Sequence, residues 1–209
     1  MDPAVTALLL AAGLSSRMGA TKQLLLLHDK TVIRHCLDAL FDADIRDILV
    51  VIGLQGDAIM ESLQHLPVGV VRNEVPNSDM AESIRTGLRT LESTQGGVLI
   101  CLSDYPLVSA NTIRALVRAF NNYPNNVIIP QNEGRRGHPT LFPLKLISGI
   151  FSGLTLRDIV HRNSKMIFTV DVNDEGILLD LDSKEDYRLI QTKLRDRPIG
   201  EKTQAENGT

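Results

Sequence analysis

The sequence contains no tryptophan, and aromatic residues make up only 4% of its 209 residues. Proteins that bind single-stranded nucleic acid stack bases on aromatic side chains, so this composition argues against such a platform. Basic residues are not in excess either, because 22 Lys and Arg stand against 25 Asp and Glu for a net charge of −3. General nucleic-acid binders are usually basic, and we therefore expect no nucleic-acid partner.

Cysteines and long apolar runs are also scarce. Cys36 and Cys101 are the two cysteines of the sequence, too few for a zinc site and typical of small buried side chains in a reducing compartment. No apolar run reaches the roughly 20 residues that span a bilayer. The start Met1-Asp2-Pro3 lacks the basic residues of a signal peptide. We therefore expect a cytoplasmic protein with no membrane partner.

The length is that of one domain with a proper hydrophobic core. We predict a single domain over residues 1–195. The remaining segment, 196–209, is polar and lacks apolar periodicity, which predicts a disordered tail.

Strand and helix patterns alternate through the first 130 residues. The predicted strands are 4–11, 47–52, 68–72, 97–102 and 127–130, and the predicted helices are 31–43, 57–65, 78–91 and 110–121. This alternation predicts an α/β protein in which a mostly parallel sheet lies between two layers of helices, a three-layer Rossmann-like architecture.

The pattern changes after Pro130. A short strand over 138–142 and a helix over 155–163 are followed by two β-like segments, 166–172 and 176–179. A closing helix over 183–194 follows, with Asp182 or Ser183 as its N-cap. We therefore predict a small β-rich C-terminal excursion from the parallel sheet.

The loop after the first strand is the strongest functional signal. The apolar run ends at Gly13, and the following small-residue loop carries Arg17 and Gly19, with Lys22 just beyond. Glycines permit a positive φ and a close approach to a ligand, and backbone N–H groups of such a loop bind anions. Arg17 can hold phosphate oxygens in a bidentate fork, and Lys22 can supply a point charge. The pattern indicates a polyphosphate site, against the alternative of a Ser/Gly loop with incidental basic residues.

Two common glycine loops do not fit this spacing. A Walker A loop requires four residues between its glycines and a lysine directly after the second one, whereas five residues separate Gly13 from Gly19. A dinucleotide-binding loop requires a glycine at the position of Ser15 and an acidic residue at the end of the second strand, and neither is present. The spacing therefore argues against an NAD-dependent oxidoreductase.

Asp104 lies two residues after the end of the predicted central strand. A carboxylate beside a buried apolar strand is costly unless it is paired, and Mg²⁺ commonly takes one or two carboxylates together with substrate phosphate oxygens. The alternative is a turn aspartate that caps the helix starting near Ser109. With a phosphate loop on a neighbouring strand, we favour a magnesium ligand.

Several ordered blocks together resemble the molybdenum-cofactor-type NTP transferase family, in particular its cytidylyl-transferring branch. The resemblance covers roughly residues 5 to 190. Its blocks are Leu10-Ala11-Ala12-Gly13-x-Ser15-x-Arg17-Met18-Gly19 with Lys22, then Asn73, Met80-x-x-Ser83-Ile84-x-x-Gly87-Leu88, Ser103-Asp104-x-Pro106, Gly137-His138-Pro139 and Leu179-Asp180-Leu181-Asp182.

The resemblance implies a nucleotidyltransferase fold and the transfer of CMP from CTP to molybdopterin with release of pyrophosphate. It implies Mg²⁺ as cofactor, and a molybdoenzyme or its insertion factor as protein partner. The implied nucleotide-binding residues are Leu10, Ala11, Ala12, Gly13, Arg17, Lys22, Asn73 and Ser83. Arg17, Lys22 and Asp104 are the implied catalytic residues, with Asp104 as the metal ligand, and Gly137, His138 and Pro139 are the implied acceptor-binding residues.

Alternatives remain for several of these residues. Asn73 also fits a turn, and Ser83 an ordinary helix position. His138 invites interpretation as a general base, although the resemblance places it beside the acceptor. Asp182 fits a second metal ligand or a helix cap.

One departure from the family pattern is Asp79, which replaces a glycine and adds a charge near the expected nucleotide pocket. Other interpretations of the function are a transferase with another phosphorylated acceptor and a non-catalytic carrier of molybdenum cofactor.

Overall fold

The structure is a computed structural model that describes residues 4–13, 21–91 and 96–196. Its centre is an eight-stranded sheet with the order β10-β7-β9-β6-β1-β4-β5, in which β8 pairs with β7. Those strands are β1 (Val5–Ala11), β4 (Ile48–Ile52), β5 (Gly69–Arg72), β6 (Gly97–Leu102), β7 (Val127–Asn132), β8 (Arg135–Arg136), β9 (Thr140–Pro143) and β10 (Ile167–Asp171). A separate hairpin joins β2 (Leu26–Leu27) to β3 (Lys30–Thr31).

The sheet is mostly parallel, as the alternating pattern predicts. β1 pairs in parallel with β4 and β6, β4 with β5, and β10 with β7. β9 runs antiparallel to both β6 and β7, and β8 runs antiparallel to β7. The reversal is local, because β8 and β9 follow a tight turn at Glu133 and Gly134, which both have positive φ.

Helices cover both faces of the sheet. They are α1 (Val32–Asp42), α2 (Asp57–Leu63), α3 (Met80–Thr90), α4 (Ala110–Asn122), α5 (Leu144–Ile147), α6 (Leu156–Arg162) and α7 (Lys184–Asp196). Buried side chains of α1, α2 and α4 pack on one face, and those of α3, α5 and α6 pack on the other. The expected three-layer arrangement is therefore confirmed.

The first strand shows why its sequence is continuously apolar. Leu9 packs with the layer that contains α1, whereas Leu8 and Leu10 pack with the layer that contains α3. A central parallel strand is buried on both faces, so it lacks polar alternation. Gly87 of α3 lies against Leu8, because a Cβ atom at Gly87 would come within 2.3 Å of Leu8 Cδ1.

Two predicted β segments need correction. Residues 176–179 are not a strand: Glu175–Leu178 form a 3₁₀ helix, since the Asp174 carboxylate accepts a hydrogen bond from the Gly176 N–H at 3.0 Å and caps the turn. The predicted strand over 138–142 begins at Thr140, because the His138 N–H donates to the Ile177 carbonyl instead of to a strand neighbour. The hairpin β2–β3 and the helix α5 are elements that the pattern missed.

The remaining predicted boundaries differ from the observed ones by a few residues at most. The first helical turn of α7 is held by Ser183, whose hydroxyl accepts from the Asp186 N–H at 3.1 Å, while the Asp186 carboxylate accepts from the Ser183 N–H at 2.8 Å. The predicted tail lies outside the described residues except for Asp196, which ends α7. Within the ranges described, no helix has both the length and the apolarity needed to cross a bilayer.

Candidate active site

The carboxyl ends of the parallel strands form one edge of the sheet, where open α/β sheets bind their ligands. β1, β4 and β6 are neighbours and end at Ala11, Ile52 and Leu102. The predicted phosphate loop leaves this edge after β1. Arg17 and Gly19 lie outside the described residues, and the described chain resumes at Thr21, just before Lys22.

Lys22 joins two carboxylates at this edge. Its Nζ donates to Asp104 Oδ2 at 2.7 Å and to Asp182 Oδ1 at 2.8 Å. The Lys22 side chain is 11% exposed and that of Asp104 21%, whereas that of Asp182 is 47% exposed. The cluster is therefore closed towards the sheet and open to solvent on the Asp182 side, where a substrate can enter.

The electrostatics of the cluster keep Lys22 charged. Burial by itself lowers the pKa of the Lys22 ammonium, but the hydrogen bonds that it donates to Asp104 and Asp182 and the negative charges of these carboxylates outweigh burial, so the pKa is raised. Charge-assisted hydrogen bonds of this kind hold three side chains in one geometry.

The backbone sets the two carboxylates side by side. The Leu181 N–H donates to the Asp104 carbonyl at 2.9 Å, so the segment that carries Asp182 runs against the turn that follows β6. Two serines cap the neighbouring helices: Ser109 caps α4 by accepting from the Thr112 N–H, and Ser183 caps α7. The carboxylates of Asp104 and Asp182 therefore serve the cluster instead of a helix end.

The donor set fits a hard cation. Asp104 and Asp182 already converge on one cationic group, the Lys22 ammonium, at 2.7 and 2.8 Å. Proteins usually bind Mg²⁺ through one or two carboxylates, and substrate oxygens complete the coordination. Among the described residues, no group of three or more His, Cys, Asp or Glu side chains could enclose a metal, so the remaining ligands would come from phosphate oxygens and water.

Asn73 and Ser83 are brought together at the end of β5. Asn73 Nδ2 donates to Ser83 Oγ at 3.0 Å and to Ser78 Oγ at 2.8 Å, while its Oδ1 accepts from the Val75 N–H at 3.1 Å. Asn73 is 1% exposed and Ser83 4% exposed. Asn73 therefore stabilises a turn, which is one of the two interpretations that its sequence position allowed. Ser83 accepts a hydrogen bond from Asn73 and so connects α3 to that turn.

Asp79 has a local structural role. It is the N-cap of α3, and its carboxylate accepts from the Glu82 N–H at 2.8 Å. Asp, Ser, Thr and Asn are the preferred N-caps, whereas glycine leaves the helix N–H groups without a side-chain acceptor. The departure from the family pattern therefore adds a helix cap at this position.

The residues Leu10, Ala11, Ala12 and Gly13 carry the backbone from β1 to the sheet edge. The Ser103 N–H donates to the Leu10 carbonyl at 3.1 Å, which binds this exit to the end of β6. Gly13 is exposed, and a Cβ there would meet nothing within 4 Å. Gly13 does not adopt the positive φ that glycine permits, since the described glycines with positive φ are Gly96, Gly134 and Gly153.

Gly137, His138 and Pro139 pack near Asp104. A Cβ at Gly137 would come within 2.2 Å of the Ile177 carbonyl oxygen, so this glycine allows two chain segments to touch. The His138 ring contacts Tyr105 edge-on, with ring centroids 5.2 Å apart. Beside them lies a cavity of about 20 Å³, lined in part by Cys36, Cys101 and Pro139, which is large enough for one water molecule.

The environment of His138 argues against a charged imidazole. Burial lowers the pKa of His138, although the carboxylates of Asp104 and Asp180 oppose the shift. Its Nδ1 is buried and has no hydrogen-bond partner among the described residues. Its surroundings therefore favour the neutral form of the ring.

Tyr105 and Asp180 are site neighbours to which the sequence analysis assigned no role, although Asp180 stands in one of the quoted motif blocks. Burial and the carboxylates of Asp180, Asp104 and Asp182 raise the pKa of Tyr105 to about 12. Burial, together with the charges of Asp182 and Asp104, also raises the pKa of Asp180. The signal was present in the alternation Asp180-Leu181-Asp182, which puts both carboxylates on one side of an extended segment.

Comparisons with known proteins identify the family of the chain. Residues 7–164 match the MobA-like NTP transferase domain family. The chain is 25% identical over 201 residues to nicotine blue oxidoreductase of Paenarthrobacter nicotinovorans, covering 90% of this chain and 97% of that protein. It is 27% identical over 191 residues to 2-C-methyl-D-erythritol 4-phosphate cytidylyltransferase of Alteromonas mediterranea, covering 75% of this chain and 78% of that one.

A solved nucleotidyl transferase from Methanothermobacter shares the fold. Its TM-score is 0.78 at 24% identity, and the alignment covers 91% of this chain and 98% of that one. Since the family match spans well over half of its length, the chain belongs to the MobA-like NTP transferase domain family. The resemblance seen in the sequence motifs and the expected nucleotidyltransferase fold are both confirmed.

The relatives do not agree on one reaction. One carries the name of a redox enzyme and another that of a cytidylyltransferase. Because one fold can carry several activities, the nucleotide and acceptor of this chain have to be argued from its own site.

Proposed function

We propose that this protein transfers CMP from CTP to molybdopterin, releasing pyrophosphate, and that the reaction requires Mg²⁺. The observation that carries the proposal is the convergence of Lys22, Asp104 and Asp182 at the carboxyl edge of β6, where the ammonium lies 2.7 and 2.8 Å from the two carboxylates. A cationic side chain and two carboxylates beside a phosphate loop are what a polyphosphate and a divalent cation need.

Each residue of the site has its own role in the transfer of the nucleotidyl group. Asp104 and Asp182 would hold Mg²⁺, which supplies neutralisation of phosphate charge when bound. Lys22 and Arg17 donate to phosphate oxygens of CTP and stabilise the charge that moves to the leaving pyrophosphate. The terminal phosphate of the acceptor forms a new P–O bond to the α-phosphorus while the bond between the α-phosphorus and the pyrophosphate oxygen breaks. The protein supplies no nucleophile, because the acceptor phosphate is already an anion.

The nucleoside end lies beside α3, where the buried Asn73–Ser83 pair supports the base or ribose. Leu10 and Ala11 of β1 bring Ala12 and Gly13 to the end of the strand, where the backbone of these two residues faces the phosphates. Since the amide of Asn73 is engaged by Ser78, Ser83 and Val75, Asn73 positions this wall of the pocket. Ser83 Oγ keeps one proton to donate.

The acceptor end is formed by Gly137, His138 and Pro139 together with Tyr105. The neutral His138 ring, held edge-on against Tyr105 at 5.2 Å, offers a hydrogen-bonding surface near Asp104 without adding charge. We do not assign it as a general base, because an anionic phosphate needs no proton removed.

The choice of CTP and molybdopterin rests on the motif resemblance. Ala11-Ala12-Gly13 is similar to the cytidylyl-transferring branch, as is Gly137-His138-Pro139, and one cytidylyltransferase is among the relatives. In this proposal the product is handed to a molybdoenzyme or its insertion factor in the cytoplasm.

The test is pyrophosphate release with CTP and with GTP, in the presence of Mg²⁺, with and without molybdopterin. We expect release with CTP only when molybdopterin is added, and loss of release when Mg²⁺ is chelated. Release with another phosphorylated acceptor would replace molybdopterin in the proposal. No release with any nucleotide, while CTP or its molybdopterin product still binds, would favour a carrier role instead.

A further inference from the structure

We infer that Lys22 is a nucleotide-operated gate on the metal site: it occupies the two carboxylates in the free protein and admits a divalent cation only when a triphosphate draws its ammonium away. The inference rests on the proposed function, because it concerns the order in which that same site fills.

The first step is steric. Lys22 Nζ lies 2.7 Å from Asp104 Oδ2 and 2.8 Å from Asp182 Oδ1. Mg²⁺ binds oxygen at about 2.0–2.1 Å. A metal on the same two oxygens would therefore lie close to the ammonium nitrogen, so the two cations compete for one position.

The second step is electrostatic. Lys22 is largely buried, with a side chain 11% exposed, so solvent does little to screen repulsion between the ammonium and a divalent cation. Lys22 is a cation that Asp104 and Asp182 share at 2.7 and 2.8 Å. A metal that binds both carboxylates therefore has to replace the ammonium.

The third step is the exchange of partners. Lys22 follows the phosphate loop directly and starts a 3₁₀ helix of three residues, Lys22–Leu24. Its long side chain can turn from the carboxylates to a triphosphate bound at the carboxyl end of β1. Each cation then gains an anionic partner, because the ammonium moves to phosphate and the metal bridges phosphate and carboxylates. The predicted order is nucleotide with or before metal, and no tight metal binding by the free protein.

The experiment is a titration of the full chain with Mn²⁺ in the absence of nucleotide, in which the electron paramagnetic resonance signal of free Mn²⁺ is followed. Lys22→Met removes the charge at similar length, and Lys22→Gln is a second neutral variant that keeps hydrogen-bond donors. We expect both to bind Mn²⁺ about tenfold or more tightly than the wild type. Lys22→Arg keeps the charge and should bind as weakly as the wild type. Lys193→Met removes a lysine that pairs with Glu175 at 2.6 Å, away from the cluster, and should change nothing.

Two results separate the gate from the proposed function. If the wild type binds Mn²⁺ as tightly as the neutral variants, and Asp104→Asn abolishes that binding, the gate is wrong and the metal site stands. If neither the wild type nor the folded neutral variants bind Mn²⁺, the metal assignment to Asp104 and Asp182 fails, and the gate fails with it.

Discussion

Lys22 and Asp182 are 160 residues apart in the sequence, and their side chains meet at 2.8 Å between Nζ and Oδ1. The contact joins the segment after the phosphate loop to the segment that leads into the last helix. Through Asp182, the C-terminal part of the domain is therefore a component of the catalytic centre that we propose.

Removing the carboxylates should stop the reaction without unfolding the protein. We expect Asp104→Asn to lower kcat about a hundredfold or more, because it removes a metal ligand and a partner of Lys22. Asp182→Asn should have a smaller effect, since its side chain is 47% exposed and water can replace it. The measurement is Mg²⁺-dependent pyrophosphate release, with circular dichroism to verify folding.

The matched control for these two variants is Asp38→Asn. Asp38 forms ion pairs with Lys30 at 2.6 Å and Arg34 at 2.6 Å on the surface, and exposed pairs of this kind contribute little. Full activity of Asp104→Asn would contradict the metal role assigned to that carboxylate.

The buried amide of Asn73 should matter for both stability and CTP binding. Asn73→Ala leaves the Val75 N–H and the hydroxyls of Ser78 and Ser83 without their acceptor or donor, which should cost about 1–3 kcal/mol of unfolding free energy. Urea denaturation measures this cost. Ser83→Ala removes one of these contacts and should cost less, while raising KM for CTP.

These two variants separate a structural role from a binding role. If Ser83→Ala has wild-type KM for CTP and Asn73→Ala changes only stability, the pair supports the turn and does not contribute to nucleotide binding.

Gly87 should tolerate no side chain. Gly87→Ala would place Cβ 2.3 Å from Leu8 Cδ1, and overpacking of this kind costs about 1–3 kcal/mol. Gly149→Ala is the matched control, because its Cβ would have ordinary contacts at 3.6 Å and 3.9 Å. Thermal unfolding should therefore show a lower Tm for Gly87→Ala and a nearly unchanged Tm for Gly149→Ala. Equal Tm values would show that Leu8 moves aside freely.

The free energy of unfolding should fall below pH 6.5 because of His138. Burial lowers the pKa of His138 from the ordinary 6.5 in the folded protein, so between that lowered value and 6.5 the unfolded chain binds more protons than the folded one. The contribution is therefore fully present above pH 6.5 and is lost as pH falls towards the folded pKa. His138→Gln should flatten this part of a Tm profile measured from pH 7 to pH 5.

The contribution of Lys22 to stability has the opposite pH dependence. The pKa of Lys22 is raised above its ordinary 10.5 in the folded protein, so its contribution to stability is fully present below that value and is lost as pH rises through the folded pKa. Above pH 10.5 the wild-type Tm should therefore fall, and Lys22→Gln should remove this part of the Tm profile, because no ammonium is left to lose its proton.

Local sequence pattern by itself determined much of the architecture. The alternation of apolar strands and amphipathic helices predicted the parallel sheet, since burial on two faces demands continuous apolar strands such as Leu8-Leu9-Leu10. The position of Asp104 two residues after such a strand also placed it at the carboxyl edge of the sheet, because all parallel strands end on that side.

Tertiary structure decided the rest, because long-range contacts have no local signature. Only the folded chain shows that Asp182 faces Lys22 while Ser183 caps the helix, since both interpretations fit the same four-residue motif. Only it shows that residues 176–179 turn instead of extending, because the Asp174 carboxylate binds the Gly176 N–H and outweighs the β-like pattern. Residue types and spacing therefore determined the layers and the chemistry of this site, whereas the pairing of charges from distant segments depended on how those layers pack.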